Sequence, residues 1–293
     1  MKPTVGLIGL GLMGGPMGMN LLKAGFPLVV WNRTKSKADE HVAAGATLAA
    51  NPRGVAEQTD VLITIVSDPP ALEEVLFAPQ TGALAAMRRG ATLIDSSTVS
   101  PDLARRVAAT CTERGVDFLD APVTGGTWGA KSGELVFMVG GKAEVLERVR
   151  PVLEAMGKKL PLLGPNGAGQ TVKLGMNLLL ALEVDAFAEC LALVTGAGVA
   201  ADKLMEVFQA SMARSGVLDV KAPLMVKGEF PASFPLRLMH KDVRLALELA
   251  RERGVKLPCG EAAYSTYSAV KNAADAAHED PDFAAVARWW KHC

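Results

Sequence analysis

Thr4-Val5-Gly6-Leu7-Ile8-Gly9-Leu10-Gly11-Leu12-Met13-Gly14 is the stretch on which the fold turns. Residues 4–9 form a short apolar run that reads as a buried strand. A helical stretch then carries the chain to Gly25, and Leu28-Val29-Val30-Trp31 reads as a second strand. The result is a β-α-β unit with glycines at positions 9, 11 and 14 of its first turn. Gly9 permits a tight turn, Gly11 lets the backbone approach a pyrophosphate, and Gly14 lets helix and strand pack closely. The free N–H groups of the helix then face the phosphates. A bare Gly-x-Gly-x-x-Gly is weak evidence, and a glycine-rich turn without a ligand is the plain alternative. Between a strand and a helix, within about 30 residues, it is a dinucleotide-binding fingerprint. Gly9, Leu10, Gly11, Leu12, Met13 and Gly14 are therefore cofactor-binding candidates.

The end of the second strand bears on which dinucleotide. An NAD site usually places Asp or Glu there, on the ribose 2′-hydroxyl. This chain has Asn32-Arg33-Thr34-Lys35-Ser36-Lys37, with no carboxylate before Asp39. Arg33 is suited to adenine and a 2′-phosphate, Thr34 to the same phosphate, and Lys35 or Lys37 to adding charge. The alternative is a solvated basic turn opening a helix. Asn32, Arg33 and Thr34 join the cofactor candidates. NADP(H) is preferred, with NAD(H) possible.

The strand–helix alternation continues. Residues 51–59 look helical, 61–66 form a buried strand, and 67–70 form a loop at its C-terminal end. Helices follow at 71–77 and around 81–88, a strand at 91–95, and a helix reaching Arg114 after Ser96-Ser97-Thr98-Val99-Ser100-Pro101. Further strands are expected at 117–120 and 135–139, with a helix at 144–156 and a closing segment at 160–164. Such alternation implies a parallel sheet covered on both faces. Ligands in such sheets sit at the C-terminal strand ends. Val66, Ser67 and Thr98 are cofactor candidates on that ground, although Thr98 equally suits a turn or a helix cap. Thr124-Gly125-Gly126 follows the 117–120 strand. Its backbone N–H groups and hydroxyl make a carboxylate cradle, so Thr124, Gly125 and Gly126 are substrate-binding candidates.

A long, mostly apolar helix is expected from near Gly167 to about Thr195, carrying Lys173 and Asn177. Four residues apart, these two project from one face, with Gln170 one turn earlier on a neighbouring track. A cation and an amide on a buried helix are costly unless something uses them. The bland reading has Lys173 snorkelling to solvent and Asn177 bonding a nearby backbone group. From 200 onward the pattern is helical: 201–212, 215–227, 236–253, 258–276 and 281–291. The architecture is thus α/β: a Rossmann-type doubly wound N-terminal domain (1–164), a long interdomain helix (165–196) and an all-helical C-terminal domain (197–293). The crevice between the domains is the expected place for cofactor and substrate.

Bulk composition narrows the function class. Lys+Arg and Asp+Glu are 31 each, so nothing points to nucleic acid or an anionic membrane as partner. Cys111, Cys190, Cys259 and Cys293 are scattered, without zinc-type spacing, and read as reduced packing residues; no metal is expected. The apolar stretch 172–195 carries Lys173, Glu183, Asp185 and Glu189, which a membrane span would rarely tolerate. With no signal-type N-terminus, a cytoplasmic enzyme is the expectation.

With these stretches in view, the chain resembles the β-hydroxyacid dehydrogenases, the 3-hydroxyisobutyrate dehydrogenase family, over essentially its whole length. The resemblance rests on residues 9–20, on Asp120-Ala121-Pro122-Val123-Thr124-Gly125-Gly126, on Gly167-Ala168-Gly169-Gln170-Thr171-Val172-Lys173 with Asn177 a turn later, and on Lys241-Asp242. The Asn32-Arg33-Thr34 turn looks like that of the NADPH-preferring glyoxylate and succinic semialdehyde reductases of this family. Three departures stand out. Gly18 replaces a usual Ser or Ala, a change expected to cost little. Thr124 replaces a commoner Ser, and a single Asn177 stands where the family often has two.

The resemblance implies hydride exchange between NADP(H) and a small carboxylate-bearing aldehyde or β-hydroxyacid, of the glyoxylate, succinic semialdehyde or 3-hydroxyisobutyrate type. Lys173 would be the general acid/base and Asn177 would hold the reacting oxygen. Both would also touch substrate, while Lys241 would lie near the nicotinamide end with Asp242 orienting it. A surface Lys on an amphipathic helix is the alternative for Lys241. A homodimer or homotetramer is implied as well. The competing readings are an imine reductase of similar plan, against which Lys173 argues, and a non-catalytic cofactor-binding protein. Phosphogluconate dehydrogenase chemistry belongs to much longer chains.

Overall fold

The computed structural model describes residues 2–290. It forms two compact units divided between Lys173 and Leu174. In the first, an eight-stranded sheet is built from β1 (Val5–Ile8), β2 (Leu28–Trp31), β3 (Thr47–Leu48), β4 (Val61–Thr64), β5 (Thr92–Asp95), β6 (Asp117–Asp120), β9 (Val139–Gly140) and β11 (Leu162–Gly164). Its order is β11-β9-β6-β5-β4-β1-β2-β3. Every pairing is parallel except β6 with β9. A small second sheet holds β7 (Val123–Thr124), β8 (Leu135–Phe137) and β10 (Gly157–Lys159) in the order β10-β8-β7.

Alternation along the central strands supplies two cores. Leu7, Val30, Ile63 and Ile94 face one way, against Met17 and Leu21 of α1 (Gly14–Lys23) and Val149 and Leu153 of α7 (Ala143–Glu154). Ile8, Val29, Leu62 and Leu93 face the other, against Val55 of α3 (Pro52–Ala56), Leu72 of α4 (Pro69–Phe77) and Val107 of α5 (Pro101–Arg114). Two short helices, α2 (Asp39–Ala43) and α6 (Gly126–Ser132), complete the unit. Local chemistry sets several boundaries. Asn51, Asp68 and Ser100 each cap a helix through a side-chain oxygen, with a proline following, and α5 ends on left-handed Gly115.

Several expectations change. Residues 135–139 are not one strand: Met138 donates its N–H to the Pro122 carbonyl at 2.9 Å, and the chain passes there from the small sheet to the large one. The helix expected around 81–88 shrinks to a single 3₁₀ turn, Leu84–Ala86. Just before it, Gly82 packs where a Cβ would stand 2.6 Å from the Ala78 carbonyl oxygen, so the chain there has no room for a side chain. Pro69 and Pro70, expected in a loop, open α4.

The helix α8 (Ala168–Gly196) runs 29 residues, on both sides of the division. The second unit adds α9 (Ala201–Ala210), α10 (Gly216–Lys227), α11 (Leu236–Glu252), α12 (Pro258–Ala276) and, after a 3₁₀ turn at Phe283–Val286, α13 (Ala287–Trp290). The continuous helix expected over 281–291 is thus broken, and its last residue lies outside the described ones. Val184, Phe187, Met225, Met239, Val243, Tyr267 and Phe283 form the core of this unit. A buried ion pair, Lys221 with Asp282 at 2.7 Å, is completed by Ser233 and the Phe234 and Ala284 N–H groups, as a desolvated pair requires. The fold is therefore α/β with a Rossmann-like N-terminal domain and a helical C-terminal region.

Cys111 packs as expected, its thiol pushed up by burial to about 12. Cys190 and Cys259 do not: both are exposed on helices. Cys293 lies outside the described residues. No helix among the described residues is long and apolar enough to cross a membrane.

Candidate active site

The glycine turn has the geometry that its spacing requires. Gly9 adopts φ +103°, and a Cβ there would stand 2.1 Å from the Ile65 carbonyl oxygen. A Cβ on Gly14 would stand 2.0 Å from the Gly9 carbonyl oxygen, so β1, β4 and α1 meet at a distance only glycine allows. Gly11 differs: it is exposed, and a Cβ would touch nothing within 4 Å. Leu12 is exposed and Met13 half-buried at the start of α1, which has no side-chain cap and no acidic residue in its first turn.

Asn32 ties this turn to the basic one. Its Oδ1 accepts the Leu10 N–H at 2.9 Å, and its Nδ2 donates to the Thr34 carbonyl at 2.8 Å. Asn32 therefore shapes the turn with its own amide. Arg33 and Thr34 beside it are exposed. Leu10, Gly11, Ser36 and Lys37 line one cavity of about 650 Å³. Lys23 and Lys131 share that cavity with Lys37, against one carboxylate, Glu40, and an open glycine backbone beside an uncapped helix start fits a phosphate-bearing dinucleotide.

The same cavity is lined by a residue that the sequence reading did not single out. His41, on α2, is buried and donates from Nε2 to the Gly15 carbonyl at 2.8 Å, leaving Nδ1 without a protein partner among the described residues. Its ring fills the space over Gly18, where a Cβ would come within 2.9 Å of it. Glycine at position 18 therefore fits this chain, where a Cβ would press on the His41 ring.

At the C-terminal strand ends, Val66 donates its N–H to Ser97 Oγ at 2.9 Å, while Ser67 Oγ donates to Asp68, the cap of α4. Asp95 ends β5 beside Asp120, its register partner on β6. Fully buried, it accepts from Thr64 Oγ1 (2.8 Å) and the Ser97 N–H (3.1 Å). Burial lifts its pKa to about 6, these bonds lower it, and the charge of Asp120 adds to the rise. Asp120 is also raised, by burial, despite accepting the Gly167 N–H at 2.8 Å and the Gln170 N–H at 3.1 Å. It is the cap of α8, reached across 47 residues of sequence. Thr98 follows, half-buried.

On α8, Gln170, Lys173 and Asn177 are buried; Lys173 is 9% exposed and Asn177 1%. Lys173 is therefore largely shielded from solvent. Within the second unit, Asn177 Nδ2 donates to Asp242 Oδ2 at 2.6 Å, and Asp242 Oδ1 lies 2.8 Å from Lys241 Nζ. Lys241 is largely buried in this ion pair rather than displayed on a helix surface. A carboxylate only accepts, so the amide of Asn177 is oriented without ambiguity. Its Oδ1 is buried and has no protein partner among the described residues.

Thr124, Gly125 and Gly126 follow the β6 end as expected, Thr124 half-buried and both glycines exposed. Gly125 takes φ +124° and Gly126 +61°, and the chain turns there directly into α6. Trp128 on that helix projects into solvent, 70% exposed.

Comparison with known proteins identifies the family. Residues 4–164 match the profile described as the NAD binding domain of 6-phosphogluconate dehydrogenase. Residues 167–290 match that of the NAD-binding of NADP-dependent 3-hydroxyisobutyrate dehydrogenase. The chain is 42% identical to the NAD-dependent L-serine dehydrogenase of Pseudomonas aeruginosa, over 90% of each protein. It is 39% identical to the 2-hydroxy-3-oxopropionate reductase of Escherichia coli, over 87% of this chain and 86% of that one. The 3-hydroxyisobutyrate dehydrogenase of Mycobacterium tuberculosis, solved with L-serine, superposes with a TM-score of 0.86 at 34% identity, covering 98% of this chain and 99% of that one. The chain belongs to the β-hydroxyacid dehydrogenase family and is a nicotinamide-dependent oxidoreductase of small hydroxyacids.

Proposed function

We propose that this enzyme interconverts a small carboxylate-bearing aldehyde and its hydroxyacid with NADP(H), using Lys173 as general acid and base. The observation that carries the proposal is the burial of Lys173 and Asn177 one turn apart on α8, with the amide of Asn177 aimed by Asp242. A desolvated cation and an oriented amide have a cost to the fold that a catalytic role explains.

Residues 9–14 and the α1 N-terminus would hold the pyrophosphate, and Arg33, Thr34 and Lys37 the 2′-phosphate. Val66, Ser67 and Thr98 would line the path to the nicotinamide end, with Lys241 near it. The bound nicotinamide supplies or takes the hydride. Lys173 Nζ gives a proton to the substrate oxygen in reduction and takes it back in oxidation. Asn177 Oδ1 is suited to accept from that ammonium or from a substrate hydroxyl, and its second Nδ2 hydrogen is suited to the carbonyl oxygen. Thr124 Oγ1 and the Gly125 and Gly126 N–H groups would take the substrate carboxylate.

Lys173→Ala is expected to lower kcat by about 10²-fold or more while NADPH binding persists. A panel of glyoxylate, succinic semialdehyde, methylmalonate semialdehyde and tartronate semialdehyde, followed by NADPH absorbance, finds the substrate. Unchanged turnover in the variant removes Lys173 from the mechanism. L-Serine with NAD⁺ belongs in the oxidative panel because a relative at 42% identity carries that activity in its name. Arg33→Asp is expected to weaken NADPH by about tenfold more than NADH. Equal loss of both would show that Arg33 does not discriminate.

A further inference from the structure

Gln170 is fully buried, and both halves of its amide are bonded to the chain around Thr98. Nε2 donates to the Ser97 carbonyl at 2.8 Å, and Oε1 accepts the Val99 N–H at 3.1 Å. A carbonyl only accepts and an N–H only donates, so the amide has one possible orientation. The two backbone groups belong to the peptides on either side of Thr98, which is therefore held from both ends. On its other side this segment is fastened to the sheet: the Ser97 N–H goes to Asp95, and Ser97 Oγ accepts from Val66. The backbone N–H of Gln170 goes to Asp120 at the end of β6. One residue thus joins the segment after β5, the end of β6 and the first turns of α8. Lys173 follows three positions later, about 4.5 Å along the helix axis.

We infer that Gln170 is a positioning residue that sets the register between the Thr98 peptide and Lys173, and through it the geometry of hydride and proton transfer. It acts through its neighbours and is not a catalytic residue. The inference rests on the roles proposed above for Lys173 and Thr98. An error of about 1 Å between reacting groups is enough to cost about 10²-fold in rate, which is the scale on which a lost clamp should register.

The test is Gln170→Leu, alone and with Lys173→Ala, in the full-length enzyme at saturating NADPH. The expected result for Gln170→Leu is a loss of about tenfold or more in kcat, with the Kd for NADPH within about threefold. The isotope effect on kcat with 4-deuterated NADPH should rise, because hydride transfer becomes the slow step. In the Lys173→Ala background the same change should remove less than about threefold more, since the register no longer serves a proton donor. Wild-type kcat and isotope effect in a folded Gln170→Leu enzyme would overturn the inference. So would a full additive loss in the double variant, which is the mark of a purely structural residue. If Lys173→Ala alone turns over normally, the proposed function fails, and the inference with it; that control separates the two failures. Should Gln170→Leu not melt cooperatively, Gln170→Glu retains the bond to Val99, loses the one to Ser97 and supports the same comparison.

Discussion

Two helices of the N-terminal unit begin beside strand ends, and their starts are built in opposite ways. α1 opens with no side-chain cap, no acid in its first turn and a glycine whose missing Cβ leaves open space. α8 opens on a buried carboxylate: Asp120 accepts from the Gly167 and Gln170 N–H groups and stands within 3.5 Å of Asn166 Nδ2. Both helix starts carry the same partial positive charge. Only the first is left for an external anion; the second is neutralised from inside. The contrast makes the α8 start a joint and leaves the α1 start as the candidate ligand site, although both stretches are rich in glycine.

Removing the internal anion should have the larger effect. Asp120→Ala leaves the buried Gly167 and Gln170 N–H groups without an acceptor, while Asn166 Nδ2 keeps the Phe118 and Gly140 carbonyls, and a loss of about 2–5 kcal/mol is expected in urea melts. A loss below about 1 kcal/mol would mean that water replaces the carboxylate and that α8 needs no cap. No comparable loss is available at α1, where no carboxylate is present to remove.

Next to the joint, burial far more than the charge of Asp120 sets the titration of a second carboxylate. Asp95, beside Asp120, titrates near 6 in the folded protein against an ordinary 3.8. Between these values the folded state holds the proton more tightly than the unfolded chain. Stability therefore falls as pH rises from about 4 to about 6 and is level with respect to this group above that. A shift of this size corresponds to about 3 kcal/mol. Asp95→Asn keeps an acceptor for Thr64 and Ser97 and carries no charge. Measured as the difference between variant and wild type, its stability relative to the native enzyme should improve across that window. A difference independent of pH would mean that Asp95 is ionised throughout.

Much of the first helix start is legible in the sequence, and little of the second. The spacing of Gly9, Gly11 and Gly14 is a local signal, read within one strand, one turn and one helix. The cap of α8 joins residues 47 positions apart, the Gln170 clamp spans 73, and the Asn177–Asp242 bond spans 65. Periodicity places each of these residues on an element but does not name its partner. Gln170 was visible as a polar residue on a neighbouring track of α8, without the peptide that it grips. The passage from the small sheet to the large one at Met138 escaped for the same reason: its cause, the Pro122 carbonyl, lies elsewhere in the chain. At Gly18 the reason for the glycine is equally distant, because the ring of His41 arrives from a different helix.

The smallest expected effect separates ligand site from joint most sharply. Gly11→Ala adds a methyl where nothing lies within 4 Å, at a position whose φ is outside the left-handed region. The fold should tolerate it, with a change in stability within about 0.5 kcal/mol. If the α1 start is reserved for a pyrophosphate, the same methyl intrudes on the phosphate oxygens, and the Kd for NADPH should rise by about tenfold, or about 1.4 kcal/mol. Stability by melt and affinity by fluorescence titration are read on one preparation, so the two effects come apart directly. Unchanged affinity would show that the phosphates do not approach Gly11, and would leave the open start of α1 without its ligand. A large loss of stability would instead place Gly11 with Gly9 and Gly14, as a residue that the packing of β1, β4 and α1 requires.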